Sequence, residues 1–555
     1  MAIAQNISKL LAAVSNYGMG GAVPYFESFR RKRRDKRDYQ KWIIHNSVDD
    51  DRRAEMRQEI KRFDSRPLIS IILPVYDVDE IWLRKCIDSV IAQTYPNWEL
   101  CIADDASKRA HVRRLLEEYV SSNERIKAVF RPENGHISAA SNSALEIATG
   151  EFSVLLDHDD ELAVDALFWV AKEMLEHPEA AMIYSDEDLI DEDGVRSDPK
   201  FKPDFSRDLI YSLNVVTHLS AYRTDLLRAI GGFRIGLEGS QDYDLALRVI
   251  EQIPETAIRH IPRVLYHWRT IPTSVAGDAG AKPYAFAKAR DAIHSHFERT
   301  GVTAAVFAAE DDLNRVRDTL PSELPSVTII VSGGSRAGLL DATGHTNLEV
   351  IEIDASEAKA ERLNTIAAAV NSEVLCFLDG SLRPLSADWL SEMVSFAVQP
   401  KIGIVGAKLL QSKGSIDQTG FILGGPEIAR PAHRGYPRSH HGNFFRAGLI
   451  GNYSAVSGRC MVIRRGLFDE IGGFDSVHYL RRLFDSDLCL RLWEGGFRVV
   501  YTPYAELIET SSSAAIQAER NEIDYFTKRW QAIIDRDPCY NPNFTDEGEP
   551  FRYRI

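Results

Sequence analysis

Between residues 66 and 157, short β-branched runs alternate with longer helical stretches, an order that few folds can accommodate. "LISIILPVY" (68–76) has the length and apolar continuity of a buried strand, and "EIWLRKCIDSVIAQ" (80–93) has the period of a helix. "WELCIADD" (98–105) and "HVRRLLEEYV" (111–120) repeat the pair, and "KAVFRP", "SAASNSALEIATG" and "EFSVLLD" extend it. Strands joined through helices predict an α/β fold, a largely parallel sheet with helices on both faces. Such sheets bind ligands beyond the carboxyl ends of their strands. Asp104-Asp105 and the cluster "LLDHDDEL" (155–162) both fall at such ends.

The pattern then recurs. "WELCIADDAS" (98–107) resembles "LEVIEIDAS" (348–356), and "EFSVLLDHDD" (151–160) resembles "EVLCFLDGSL" (373–382). "IGGF" occurs at 230–233 and 471–474, followed by "QDYDLALR" (241–248) and "FDSDLCLR" (484–491). Four matches in one order imply two copies of a single fold. The organisation expected is an N-terminal helical and basic segment (1–65), a first domain (66–302), a linker (303–325), a second domain (326–514) and a C-terminal helix and tail (515–555).

At 555 residues the chain exceeds one ordinary core, in keeping with this division. Its formal charge of −15 argues against nucleic acid as the main partner. No run approaches the roughly 18 apolar residues that span a bilayer, and no cleavable leader is visible, so the expected location is the cytoplasm. Cys86, Cys101, Cys376, Cys460, Cys489 and Cys539 have no CxxC spacing and are expected to be reduced core thiols. A basic run, Arg30 to Arg37, follows Ile3, Ile7, Leu10, Leu11 and Val14 on one helical face. It reads either as a solvated charge run or as peripheral attachment to the inner face of an anionic membrane.

Asp157 and Asp159 form one of eight DxD triplets in the chain, so the triplet alone says little. Its position closing a buried strand suits a divalent oxygen-loving cation, Mg²⁺ or Mn²⁺, and an acidic turn capping the next helix is the alternative. Asp105 could accept a hydrogen bond from a nucleobase and Tyr76 could offer it an aromatic face. "NGHISAASN" (134–142) opens a helix with small residues whose free N–H groups could meet a diphosphate. Asp242, behind Gly239 and Ser240, is either a plain helix N-cap or a general base. His267 in "VLYHWR" is either a core histidine or a metal ligand, and Arg269 a candidate for a phosphate.

Together, "SIILPVYD", "ADDAS", "ENGHISAASNSALEIATGE", "LLDHDDEL", "GGFR…GSQDYDLALR" and "VLYHWR" resemble the motif series of family 2 nucleotide-sugar glycosyltransferases, across roughly residues 66 to 300. "YSDEDLID" (184–191), "FKPDFSRDL" (201–209) and "KRW…DPCYNPNF" (528–544) are similar to two-module bacterial members that build O-antigen or related surface polysaccharide. The resemblance implies two tandem GT-A domains with mostly parallel, Rossmann-like sheets. It implies inverting transfer from an NDP-sugar, UDP or dTDP, to a glycan or lipid-linked saccharide. It assigns nucleotide binding to Pro74, Tyr76, Asp104, Asp105, Asn134, Asp157 and His158, metal to Asp157, Asp159 and His267, and the base to Asp242. Arg269 and Gln241 are placed near phosphate or acceptor. Gln241 stands where the family often has Glu.

The second copy keeps Asp354, Asp379 and Asp485 but has Ser381 in the place of Asp159 and no histidine in "ELIETSSS" (506–513). It is therefore expected to be degenerate and inactive. Alternatives are two active modules, a nucleotide-sugar-binding scaffold, or a sugar-phosphate nucleotidylyltransferase. The last would carry a Gly-rich loop with a basic residue after the first strand, which "LPVYDVDE" does not.

Overall fold

The computed structural model describes residues 14–15, 22–271, 283–309, 313–333, 336–357, 359–480, 482–511 and 518–555. Ile3, Ile7, Leu10 and Leu11 of the apolar N-terminal face lie outside the described residues. The first sheet comprises β1 (Ile69–Val75), β2 (Trp98–Asp104), β3 (Ile126–Phe130), β4 (Phe152–Leu155), β5 (Glu161–Leu162), β6 (Met182–Ile190), β7 (Arg196–Lys200), β8 (Ser220–Arg223) and β9 (Ile258–Arg269). Their order is β3-β2-β1-β4-β8-β6-β9-β5, with β7 added to β6. All seven residues of β1 and of β2 are buried, as continuous apolar runs in a sheet covered on both faces require.

The sheet is parallel from β3 to β4, where helices return the chain to the starting end each time. It is antiparallel on both sides of β8 and parallel again between β6 and β9. The largely parallel sheet expected from the sequence is thus interrupted at β8 and edged by antiparallel β5 and β7. β8 is reached through residues 201–219, which contain no crossover helix, and it enters from the opposite end.

The second sheet uses β10 (Val327–Ser332), β11 (Leu348–Ile353), β12 (Val374–Asp379), β13 (Ile402–Leu410), β14 (Cys460–Arg464) and β15 (Arg498–Glu509). The order β11-β10-β12-β14-β13-β15 reproduces β2-β1-β4-β8-β6-β9. Among the described residues no strand stands where β3 would, since the chain passes from β11 to the helix Ala360–Ala369. Residues 303–325, expected as a linker, hold an antiparallel hairpin of Ala304–Ala308 with Asn314–Asp318. The Pro and Ser content that suggested a linker is confined to its last residues.

Repeated side-chain chemistry fixes the same turn in each copy. Asn142 donates to the Phe233 carbonyl at 2.9 Å and accepts from its N–H at 2.8 Å; Asn364 treats Phe474 identically, at 2.7 and 2.9 Å. Gly232 and Gly473 both have φ of +66°, with the Asn oxygen against the position a Cβ would take. Arg248 and Arg491 each bind an Asp four residues earlier, Asp244 or Asp487, and two carbonyls of the preceding Ile-Gly-Gly turn.

The modules are joined by the ends of the chain. Tyr39 and Trp42 of the helix Val23–Asn46 share a buried aromatic cluster with Phe201, Tyr453, Tyr501, Tyr540, Phe544 and Phe551. Arg498 pairs with Asp208 at 2.8 Å across the modules, and Asn452 bonds Ser206 and Asp208, each at 2.7 Å. From the tail, Asn541 Nδ2 reaches both oxygens of Asp186, at 3.0 and 2.9 Å, and the Lys202 carbonyl at 2.8 Å. Asn541→Ala leaves a buried carboxylate short of a donor and is expected to cost about 2–3 kcal/mol, read as a lowered urea midpoint with unchanged slope.

Candidate active site

A cleft of about 820 Å³ opens at the carboxyl ends of β1 and β4. Pro74 and Tyr76 line one wall with Asp105 and Asn134; Asp157, His158 and Asp159 form the floor; Gln241 and Asp242 stand opposite. The structure thus brings nine of the twelve sequence-predicted positions to one space.

Asp105 organises its wall. Its Oδ1 accepts from Arg131 Nε at 2.8 Å and from Gly135 N at 3.0 Å, while Asn134 Nδ2 donates to its carbonyl at 3.2 Å. These bonds set the turn that starts the helix His136–Ile147, whose first residues also face the cleft. Asp104 lies outside the cleft lining and accepts from Ser107 N at 3.3 Å. Neighbours along a strand point to opposite faces, so Asp104 and Asp105 cannot both face the ligand space.

The loop after β4 is held from beneath. Asp160 is fully buried; its Oδ2 accepts from Tyr266 OH at 2.6 Å and its Oδ1 from Arg269 N at 2.7 Å. Burial, with Asp159 and Asp157 nearby, pushes the Asp160 carboxyl well above the usual range. Tyr266 OH also accepts from Asp157 N at 3.2 Å, and His158 Nδ1 lies 3.1 Å from the Pro74 carbonyl.

Arg269, expected to meet phosphate or acceptor, is instead part of this support. Its buried guanidinium donates to the carbonyls of Asp159 (2.8 Å) and Asp191 (3.2 Å) and to the Glu161 carboxylate, and it lies 4.5 Å over the Trp82 ring. His267, expected as a metal ligand, is also elsewhere. On β9, Tyr266 and Trp268 face the cleft, so His267 between them faces away. Its Nδ1 lies 2.6 Å from Asp188 Oδ1, in a separate cavity of about 250 Å³ lined by Trp42, Arg196 and Arg263.

A further histidine of the cleft, not singled out from the sequence, is His218, just before β8. Its ring stacks on Tyr266 with centroids 4.6 Å apart, and its Nδ1 is 2.9 Å from Glu187 Oε2. Burial opposes its charge, but Glu187 and the more distant Asp157 and Asp160 favour it, and the imidazole is raised to about 9. Buried Glu187 is held down to about 2 by Lys202 and His218. Sequence reading missed His218 because "NVVTHLSAYR" has no period to place it. The only available signal was that the matching segment of the second copy, "SAVSGRCMVIR", is basic at the same place.

Asp242 lies in the first turn of the helix Gln241–Ile250, and its Oδ2 accepts from Asn214 Nδ2 at 3.1 Å. Burial raises its carboxyl above the ordinary value; His218 works against this and Asp157 adds to it. Gln241 Oε1 accepts from Gly239 N at 2.8 Å. Among the described residues no three His, Cys, Asp or Glu side chains converge as a preformed metal cage.

Residues 70–231 match the model described as glycosyl transferase family 2, and residues 319–531 match that of a glycosyltransferase-like family 2. The putative colanic acid biosynthesis glycosyl transferase WcaA of Escherichia coli K12 is 30% identical over 34% of this chain and 69% of its own length. The chain belongs to glycosyltransferase family 2. Its architecture is accordingly two tandem GT-A-type domains. The uncharacterized protein y4gI of Sinorhizobium fredii is 39% identical, covering 90% of this chain and 60% of that one. The O-antigen biosynthesis protein RfbC of Myxococcus xanthus is 31% identical over 92% of this chain and 42% of its own. The chain therefore spans about half the length of these two curated relatives. A solved structure of S. aureus TarS 1-349 with UDP-GlcNAc aligns at 20% identity, TM-score 0.34, over 40% of this chain and 65% of that chain.

The charge on His218 links the cleft to pH. Its folded-state value lies above the unfolded 6.5, so its stabilising effect is complete below about 6.5 and lost as pH rises through about 9. Urea unfolding at pH 6 and pH 9.5 is expected to show a loss on the order of 2–3 kcal/mol that a His218→Phe variant lacks.

Proposed function

We propose that the first module transfers a sugar, with inversion, from a nucleoside diphosphate sugar to a hydroxyl of a glycan or lipid-linked saccharide in bacterial surface polysaccharide synthesis. The donor is UDP- or dTDP-linked. The observation that carries the reading is Asp242 facing the Asp157–Asp159 loop across one cleft whose further wall begins a helix. The names of RfbC and WcaA support the polysaccharide context.

On this reading Tyr76 lies against the nucleobase and Asp105 fixes the turn beside it. The N–H groups opening His136–Ile147 bind the diphosphate. Asp157 and Asp159 present hard oxygen donors, a set that fits Mn²⁺ or Mg²⁺ sharing its shell with phosphate oxygens, and among the described residues no group of three such ligands forms. Such an ion, when bound, supplies Lewis-acid stabilisation of the departing diphosphate. His218 places a fixed positive charge beside the same carboxylates. Asp242 accepts the proton of the acceptor hydroxyl, and the upward shift brings its carboxyl closer to that task at neutral pH.

Purified protein assayed against a panel of NDP-sugars with Mn²⁺ or Mg²⁺ should release nucleotide. Asp159→Ala and Asp242→Asn are expected to reduce transfer by at least about 10³-fold, whereas Asp485→Asn leaves it within about twofold. Silencing by Asp485→Asn alone would move the activity to the second module.

The N-terminal helix supports peripheral attachment to a membrane. No described helix is long and apolar enough to cross one. Arg31 and Arg34 turn inward to Glu549, but Val23, Phe26 and Phe29 are 51, 57 and 58% exposed, beside exposed Arg30, Lys32, Arg33, Lys36 and Arg37. An apolar patch next to basic side chains fits an anionic lipid surface. Sedimentation with phosphatidylglycerol vesicles should capture the protein, and Phe26→Ser with Phe29→Ser should weaken capture about tenfold. Equal capture by phosphatidylcholine vesicles would contradict this attachment.

A further inference from the structure

Strand register gives a residue-by-residue correspondence between the two modules. Phe152 pairs with Arg223 where β4 meets β8, and Val374 pairs with Arg464 where β12 meets β14. Both arginines also cap carbonyls behind the same helix: Arg223 those of Pro178 and Ala180, Arg464 those of Ala397 and Pro400. Five residues forward from Phe152 and Val374 are Asp157 and Asp379; five back from the arginines are His218 and Arg459. Arg459 therefore holds in the second module the place that His218 holds in the first.

A histidine leaves room between itself and the aspartates, and an arginine fills it. Arg459 Nε donates to Asp379 Oδ2 at 2.9 Å, Nη1 to Asp417 Oδ2 at 2.9 Å, and Nη2 to Ser381 Oγ at 3.2 Å and Glu509 Oε1 at 3.1 Å. Ser381 is the residue at the Asp159 position. Asp485, at the Asp242 position, accepts from Gly458 N at 2.8 Å and is bound to the same loop.

We propose that Arg459 is the permanent cation of the second module, with its guanidinium lodged where a divalent ion would sit, so that this cleft takes up no metal. The inference rests on the reading that Asp157 and Asp159 bind a divalent cation in the first module. A guanidinium stays charged at every accessible pH, and its charge-assisted bonds to three carboxylates must all break before a metal can enter. The substitution at Ser381 and the presence of Arg459 are then one change: loss of one acid together with gain of an internal counter-charge.

The test is Mn²⁺ binding by the full chain, followed by the paramagnetic resonance signal of free Mn²⁺. Asp159→Ala, which removes the first site, should leave no bound Mn²⁺ at about millimolar metal. Adding Arg459→Ala should restore about one Mn²⁺ per chain, and adding Asp379→Asn to that variant should abolish it. Arg459→Lys, which keeps the charge, should behave as Asp159→Ala alone. Mn²⁺ bound by the Asp159→Ala chain and lost with Asp379→Asn overturns the proposal, as does a folded Arg459→Ala variant that binds none. Should Arg459→Ala fail to fold, the comparison of Asp159→Ala with and without Asp379→Asn still decides. A wild-type chain that binds no Mn²⁺ contradicts the first-module reading instead, and the gain in Arg459→Ala remains the measure of this one.

Discussion

Three consecutive carboxylates on β6, Asp186, Glu187 and Asp188, are buried, and each is paired with a different part of the chain. Asp186 accepts from Asn541 and Asn543 of the tail and from Lys202 N, and it lies 3.1 Å from His260. Glu187 holds His218 in the cleft, and Asp188 receives Tyr39 of the N-terminal helix at 2.5 Å with Arg196 at 2.6 Å. A carboxylate in such a place is tolerable only when paired, and removing one partner of a buried pair costs roughly 3–5 kcal/mol. The middle of the three supports the cleft, and its neighbours draw both chain ends onto the same strand. N-terminal helix, tail and first module are thereby one structural unit, although they are far apart in sequence.

The cleft inherits its electrostatics from this arrangement. Asp157, Asp159 and Asp160 lie within four residues of one another, yet their environments differ. Asp160 is withdrawn beneath the loop, bonded to Tyr266 and to the Arg269 backbone, and favours its neutral form. Asp157 and Asp159 face the open space opposite Asp242. The positive charge that Glu187 favours on His218 offsets part of the repulsion at Asp157. In the second module the same position carries an arginine bonded to Asp379, Asp417, Ser381 and Glu509.

The alternation of strands and helices up to Asp157 was readable because buried parallel strands are unbroken apolar runs. The repeat was readable because the Ile-Gly-Gly-Phe turns and the Asp-Arg pairs behind them recur at matching positions. Three site assignments failed for one physical reason: strand parity and burial are not visible in a motif. His267 and Asp104 sit one residue from cleft-lining neighbours and face the other way; Arg269 is consumed by the loop it supports. His218 and Glu187 belong to the cleft through pairing between segments some thirty residues apart, and no local pattern encodes that pairing. "YSDEDLID" was visible as an acidic stretch, but its role depends on Asn541 and Tyr39, which only the folded chain brings near.

On the proposed function, one of two homologous modules works and the counterpart site of the other is filled by its own arginine. Calorimetric titration of the full chain with its NDP-sugar donor in the presence of Mn²⁺ tests this most directly. One donor bound per chain, and none after Asp159→Ala, is the predicted result. Two donors per chain, or one surviving Asp159→Ala, would contradict it.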